Sequence, residues 1–174
     1  IQLEYDIFYR TANENEYSDI TSTAARQEDI SSYRTQTPRQ LNQNLNTYFT
    51  LNEQHIFALE LQHSWQEENP LFELQKERNF FQNIFQLPEQ SAGYKVQQNR
   101  LTKTNKLDGR LEYYYLLSNT ASANVTIGTT QVRQEYDSSI ANYVGDQLNV
   151  LDAANLSNDV RYDFSDVYTA LRYR

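Results

Sequence analysis

Two histidines, His55 and His63, are the side chains best suited to catalysis or metal ligation, and their surroundings argue against both. The chain has no cysteine, so it has no thiolate ligand, catalytic thiol or disulfide framework. Neither histidine belongs to an HxxxH or HExxH spacing, and no G-x-S-x-G elbow marks a nucleophilic serine. His63 falls on the apolar side of an alternating run, where a packed or interfacial imidazole is the plainer reading. Asp159, Asp163 and Asp166 are close enough in sequence to suggest a calcium-binding rim, because hard cations take clustered carboxylates. A hydrated edge is the simpler account. Glu60, Arg110 and Glu112 share polar faces and read as a charge ladder. No acid–His or Ser–His pair converges, so the expectation is no enzyme, no catalytic residue, no metal and no cofactor.

Ligand recognition then falls to aromatic rings. The chain holds 14 Tyr and 8 Phe against 1 Trp. Such rings supply large contact area, and tyrosine suits half-wet positions. Trp65, Phe72, Phe80, Tyr94, Tyr136 and Tyr143 lie in or beside the segments that link strand-like runs, and are the expected ligand-binding residues. The net charge of −8 opposes a nucleic-acid role, since affinity there comes from cations neutralising phosphates.

The elements that would position these residues are runs of alternating apolar and polar residues at 1–10, 40–51, 55–67, 101–117, 122–134 and 158–174. In the run 55–67, Phe57, Leu59, Leu61, His63 and Trp65 fall on one side, with Ala58, Glu60, Gln62 and Ser64 on the other, as a strand requires. The connections alternate. Those at 11–39, 68–100 and 135–157 are long, whereas 52–54 and 118–121 are tight turns. A soluble sandwich has no reason to collect every long connection at one end. An outer-membrane barrel does, with short periplasmic turns and long outside loops.

Each run exceeds the usual strand length of about 5–6 residues and suits a bilayer crossing of about 9–11. Phe49, Tyr113 and Tyr115 near the tight turns, with Tyr9 and Trp65 at the other ends, make two aromatic belts. No apolar stretch reaches the roughly 18 residues of a transmembrane helix. Within the connections, Asn69-Pro70 followed by 71–85 predicts a short helix with Leu74, Phe81 and Phe85 on its buried stripe. The segments 11–39 and 135–157 read as surface loops. The last run changes phase, predicting a bulge near Ser165-Asp166.

The stretches His63-Ser64-Trp65-Gln66-Glu67-Glu68-Asn69-Pro70, Thr102-Lys103-Thr104-Asn105-Lys106-Leu107-Asp108-Gly109 and Tyr113-Tyr114-Tyr115 resemble the barrel portion of Bacteroidetes-type TonB-dependent outer-membrane receptors. The closing Asp163-Phe164-Ser165-Asp166-Val167-Tyr168-Thr169-Ala170-Leu171-Arg172-Tyr173 is similar to a strand of the same barrels. The resemblance covers the whole chain but is strand texture, not a catalytic signature. It implies energy-coupled nutrient uptake in the outer membrane of a Gram-negative bacterium. Outer-membrane lipid, the remaining barrel and plug, the TonB complex and a surface lipoprotein are the implied partners. Such barrels have about 22 strands, and about 8 is the practical minimum for closure. The expectation is one all-β segment, residues 1–174, of antiparallel up-and-down strands forming part of a transmembrane barrel, without signal peptide or plug domain. The rival readings are a soluble extracellular β-sandwich for binding or adhesion and, last, a barrel enzyme.

Overall fold

The computed structural model describes residues 1–22, 28–77, 93–144, 147–151 and 157–174. Its ten strands form one antiparallel sheet. They are β1 (Gln2–Thr11), β2 (Glu14–Ser22), β3 (Glu28–Gln36), β4 (Arg39–Thr50), β5 (His55–Glu68), β6 (Leu71–Lys76), β7 (Tyr94–Leu116), β8 (Ser122–Val144), β9 (Gln147–Val150) and β10 (Asn158–Tyr173).

Several of these strands are halves of longer ones. β1 pairs β4 and β2 pairs β3 in one unbroken register: Thr11 faces Arg39, and three residues on Glu14 faces Gln36. β5 and β6 likewise share one register against β7, with Glu68 opposite Thr102 and Leu71 opposite Asn99. Proline cannot donate to a ladder. Pro38 and Pro70 therefore mark the breaks, and at the second the Arg100 amide donates to the Pro70 carbonyl at 3.1 Å. The architecture is thus an up-and-down meander along 2–22, 28–50, 55–76, 94–116 and 122–144, bordered on the last side by 147–150 and 158–173, with each path pairing its sequence neighbours. The all-β, antiparallel, up-and-down expectation is met. The sheet is open and does not close into a barrel: β1 and β10 are its edges along the lower half.

Three local expectations fail. Leu71–Lys76 is a strand and not the start of a helix. It is paired on both sides, with β3 and β7, so every backbone group finds a partner and the local cap signal is overridden. Asn69, the expected cap, accepts the Thr37 amide at 3.0 Å instead. Leu74 belongs to this strand, while Phe81 and Phe85 lie outside the described residues. The connections 11–39 and 135–157 are largely strand, continuing as β2, β3, the upper part of β8, and β9. No bulge interrupts β10, which pairs β8 residue for residue from Asn158 opposite Ser138 to Tyr173 opposite Ala123. The phase change in its sequence therefore puts Val160, Tyr162 and Phe164 on the face opposite to Val167 and Leu171.

The sheet is a single layer. Val96 and Ala141 are its only buried apolar residues among those described, and no large side chain is fully enclosed. A folded domain ordinarily buries each apolar face against a second layer. Here Leu111 is 45% exposed and Ile127 is 48% exposed.

Candidate functional site

Pairing across strands sorts the side chains into two faces. In β1–β8 and β10, residues opposite each other have the same parity, so all odd-numbered residues share one face and all even-numbered ones the other. On the odd face, one cross-strand row holds Leu3, Thr47, Leu59, Leu111, Ile127 and Thr169. The next holds Tyr5, Leu45, Leu61, Gly109, Thr129 and Val167. From the row of His55 and Tyr115 to that of His63 and Leu107, this face carries no Asp, Glu, Lys or Arg on any strand.

The lower border of this band is aromatic. Phe57 lies 6.5 Å from Phe49 and 4.9 Å from Tyr113 between ring centroids. His55 stacks on Tyr115 at 4.9 Å, and its Nδ1 is 2.7 Å from the Tyr113 hydroxyl. The histidine is thus held within the border. At the upper border stand Tyr9, Leu41 and Trp65, with Asn105, Arg133 and Asp163 completing the row. His63 sits one row lower, its Nε2 3.2 Å from Asn105 Oδ1. One step above Trp65, next to Thr11 on the edge strand, Arg39, Glu67, Lys103, Glu135 and Arg161 stand side by side with alternating sign. Opposite charges across strands stabilise the pairing. Lys103 Nζ lies 3.9 Å from Glu67 Oε2.

At the same height the even face gathers charged and amide side chains, with Ile56, Ala58, Ala170, Val132, Phe164 and Phe8 as its apolar members. Arg110 Nη2 meets Glu60 Oε1 at 2.7 Å, and its Nε lies 3.5 Å from Glu112 Oε1. The Tyr114 hydroxyl donates to Glu112. Lys106 pairs Asp108 at 2.8 Å, and Thr130 donates to the same carboxylate at 2.7 Å. The expected ladder of Glu60, Arg110 and Glu112 is therefore formed, and it extends over three strands.

The aspartates that could have formed a calcium-binding rim are divided between the two faces. Asp163 is engaged by Arg133 and Arg161, each at 2.9 Å, on the odd face, while Asp166 belongs to the even face. No group of three or more His, Asp or Glu suited to a metal occurs among the described residues.

The aromatic candidates are also dispersed. Trp65 and Tyr143 are on the odd face, whereas Phe72, Tyr94 and Tyr136 are on the even one. Tyr94 and Tyr136, on adjacent strands, are offset by eight positions, since Tyr136 faces Thr102. That offset is about 26 Å, too far for one small ligand. The Tyr143 hydroxyl lies 2.9 Å from Gln97 Oε1 and 3.3 Å from Glu73 Oε1, with Lys95 Nζ 4.5 Å from its ring centroid. It is braced as part of the sheet. Phe80 lies outside the described residues.

Above the charged row, a groove of about 430 Å³ runs across the even face, lined by Glu16, Ser32, Arg34, Phe72, Gln98 and Arg100 among others. Glu16, Arg34, Phe72 and Gln98 form a single cross-strand row. Of the expected site residues only Phe72 is here. The others escaped notice because 11–39 was read as a loop. The usable signal was Pro38 and Pro70, each followed directly by a further strand.

No family model and no curated protein matches the chain. Among solved structures, it is similar to a chain in the membrane pore complex of pneumolysin, at 10% identity and a TM-score of 0.17. That match covers 98% of this chain and 31% of the other, and the score is too low to carry an argument.

Proposed function

We propose that this chain is a wall segment of an outer-membrane β-barrel that serves as a transporter or receptor for energy-coupled nutrient uptake. The single observation that carries the membrane part is the charge-free band on the odd face. It keeps one height across every strand and ends where Arg133 and Asp163 enter the Trp65 row, just below the row of Arg39, Glu67, Lys103, Glu135 and Arg161. From His55 to His63 it is nine residues long, within the about 9–11 that a tilted strand needs to cross a bilayer. The strands continue well past it: β7 has 23 residues, about 75 Å of extended chain. A sandwich would keep its inner face apolar for as long as its sheets stay in contact. Here the odd face gives way above the band to Arg39, Glu67, Lys103, Glu135 and Arg161 and then to Asn69, Asp137 and Asp159, as happens when strands rise out of lipid into water.

In this reading the odd face meets lipid and the even face, with its ladder of Glu60, Arg110 and Glu112, lines the interior. Polar lumens and apolar outer bands flanked by aromatic girdles are the rule in such barrels. The nutrient-uptake part rests on the resemblance of the strand texture described above, and Phe72, Tyr94, Tyr136 and the outer connections would carry specificity.

The absence of cysteine makes the test clean. Single cysteines replacing Leu59, Leu61, Leu111 or Ile127, and Glu60, Gln62, Glu112 or Thr126, would carry a fluorophore in vesicles containing brominated lipid. Quenching at the first set and not the second is expected. Equal quenching of both sets, or a chain that stays folded and monodisperse without detergent, would overturn the membrane reading in favour of a soluble sandwich.

A further inference from the structure

We infer that the even-face groove above the charged row is a subsite for a ring-bearing carboxylate of the uronic-acid type. This rests on the even face being the inner wall, and it assigns a ligand class to that wall's outer mouth.

Phe72 is 39% exposed, between Arg34 and Gln98 in its cross-strand row, with Ile140 beyond Gln98 and Leu74 and Val96 one row higher. An open phenyl ring flanked by Arg34 and Gln98 offers a stacking platform for the C–H face of a sugar. Arg34 stands beside it in the same row on β3, and Arg100 one row lower on β7. A second groove of about 280 Å³ shares Arg34 and continues downward past Arg10, Glu14 and Glu68. Arg10, Arg34 and Arg100 make no ion pair among the described residues, although the protein carries a net charge of −8.

Two of the carboxylates nearby are held by neutral partners: Gln36 donates to Glu14, and Gln66 to Glu68 at 2.9 Å. Arg34 itself donates to Gln36 Oε1 at 3.1 Å. Guanidinium groups that no carboxylate holds in an ion pair fit a ligand carboxylate, which accepts two parallel N–H bonds from one arginine.

Glu16 decides between anion classes. It stands in the row of Arg34 and Phe72 and would repel a dianionic phosphate, yet it accepts hydrogen bonds from sugar hydroxyls. Ser32 and Gln98 add further hydroxyl partners. A volume of about 430 Å³ is within the range of about 300–1,000 Å³ usual for ligand clefts.

The test is calorimetric titration of the full chain in detergent with D-galacturonate, with D-galactose as the neutral twin and inorganic phosphate as the ring-free anion. Galacturonate should bind at least about tenfold more tightly than either, since the carboxylate gains charge-assisted bonds. Arg34→Gln combined with Arg100→Gln should erase the preference over galactose, and Phe72→Ala should weaken binding of galacturonate while lipid quenching at Leu111→Cys is unchanged. Equal affinity for galactose, tighter binding of phosphate, absence of galacturonate binding, or a double variant that keeps the preference would each overturn the assignment. The quenching readout on the same samples separates that failure from a failure of the membrane reading.

Discussion

Tyr168 lies across Gly128, its cross-strand neighbour on the even face. A Cβ built on Gly128 would fall inside the Tyr168 ring. The glycine is there to admit the ring, which covers a strand position with no side chain of its own. Gly128→Ala should force Tyr168 outward and cost about 1 kcal/mol in urea unfolding. In a Tyr168→Ala background the same change should be neutral or slightly stabilising, because the overlap is gone and alanine restricts the unfolded chain. An undiminished penalty there would show that the ring is not the cause. Neighbouring residues also discriminate the faces. Leu61→Arg places a charge in the middle of the odd-face band and should destabilise by about 2–4 kcal/mol in lipid, while Gln62→Arg joins a polar face and should be tolerated. Equal effects would contradict a lipid-facing band.

At the scale of the strand, legibility followed the faces. Wherever one face was apolar and the other polar, as in Phe57, Leu59 and Leu61 against Ala58, Glu60 and Gln62, alternation revealed the strand and its parity. The upper halves carry polar residues on both sides, for example Asp19, Ser31, Gln75 and Lys95 in one cross-strand row. Periodicity is blind there, so strands read as loops. Local cues then misled: Asn69-Pro70 resembles a helix start, but pairing with β3 and β7 outweighs a cap worth about 1 kcal/mol. The candidate site suffered most, because its aromatics were chosen by proximity to supposed loops and parity separates Trp65 and Tyr143 from Phe72, Tyr94 and Tyr136. The tight turn between β4 and β5 was legible and has a specific fastener. The Asn52 side-chain oxygen accepts the amides of Gln54 at 3.0 Å and His55 at 2.9 Å. Asn52→Ala should cost about 1 kcal/mol in urea unfolding. Asn52→Asp should retain the stability, since the carboxylate still accepts both bonds.

At the scale of the molecule, the meander separates its ends completely. The strand ends at Ser22, Glu28, Lys76, Tyr94, Val144 and Gln147 all lie at one rim, and the turns 51–54 and 117–121 lie at the other. The aromatic border with Phe49, Phe57 and Tyr113 is close to the turns. The rows beyond Arg39 and Glu67 lie on the opposite side of the apolar band, so the band divides the sheet into a short lower margin and a long upper half. If the band spans a bilayer, the long half must stand in water on one side only. Short turns face the periplasm in outer-membrane barrels, which puts the long half outside the cell. Proteinase K added to intact cells should therefore cut within 23–27, 78–92 or 145–157, and leave 51–54 and 117–121 whole until the outer membrane is permeabilised. Fragment masses from the two treatments would read the topology directly. Cleavage at the short turns in intact cells, with the long connections protected, would invert the orientation and place the Phe72 groove in the periplasm.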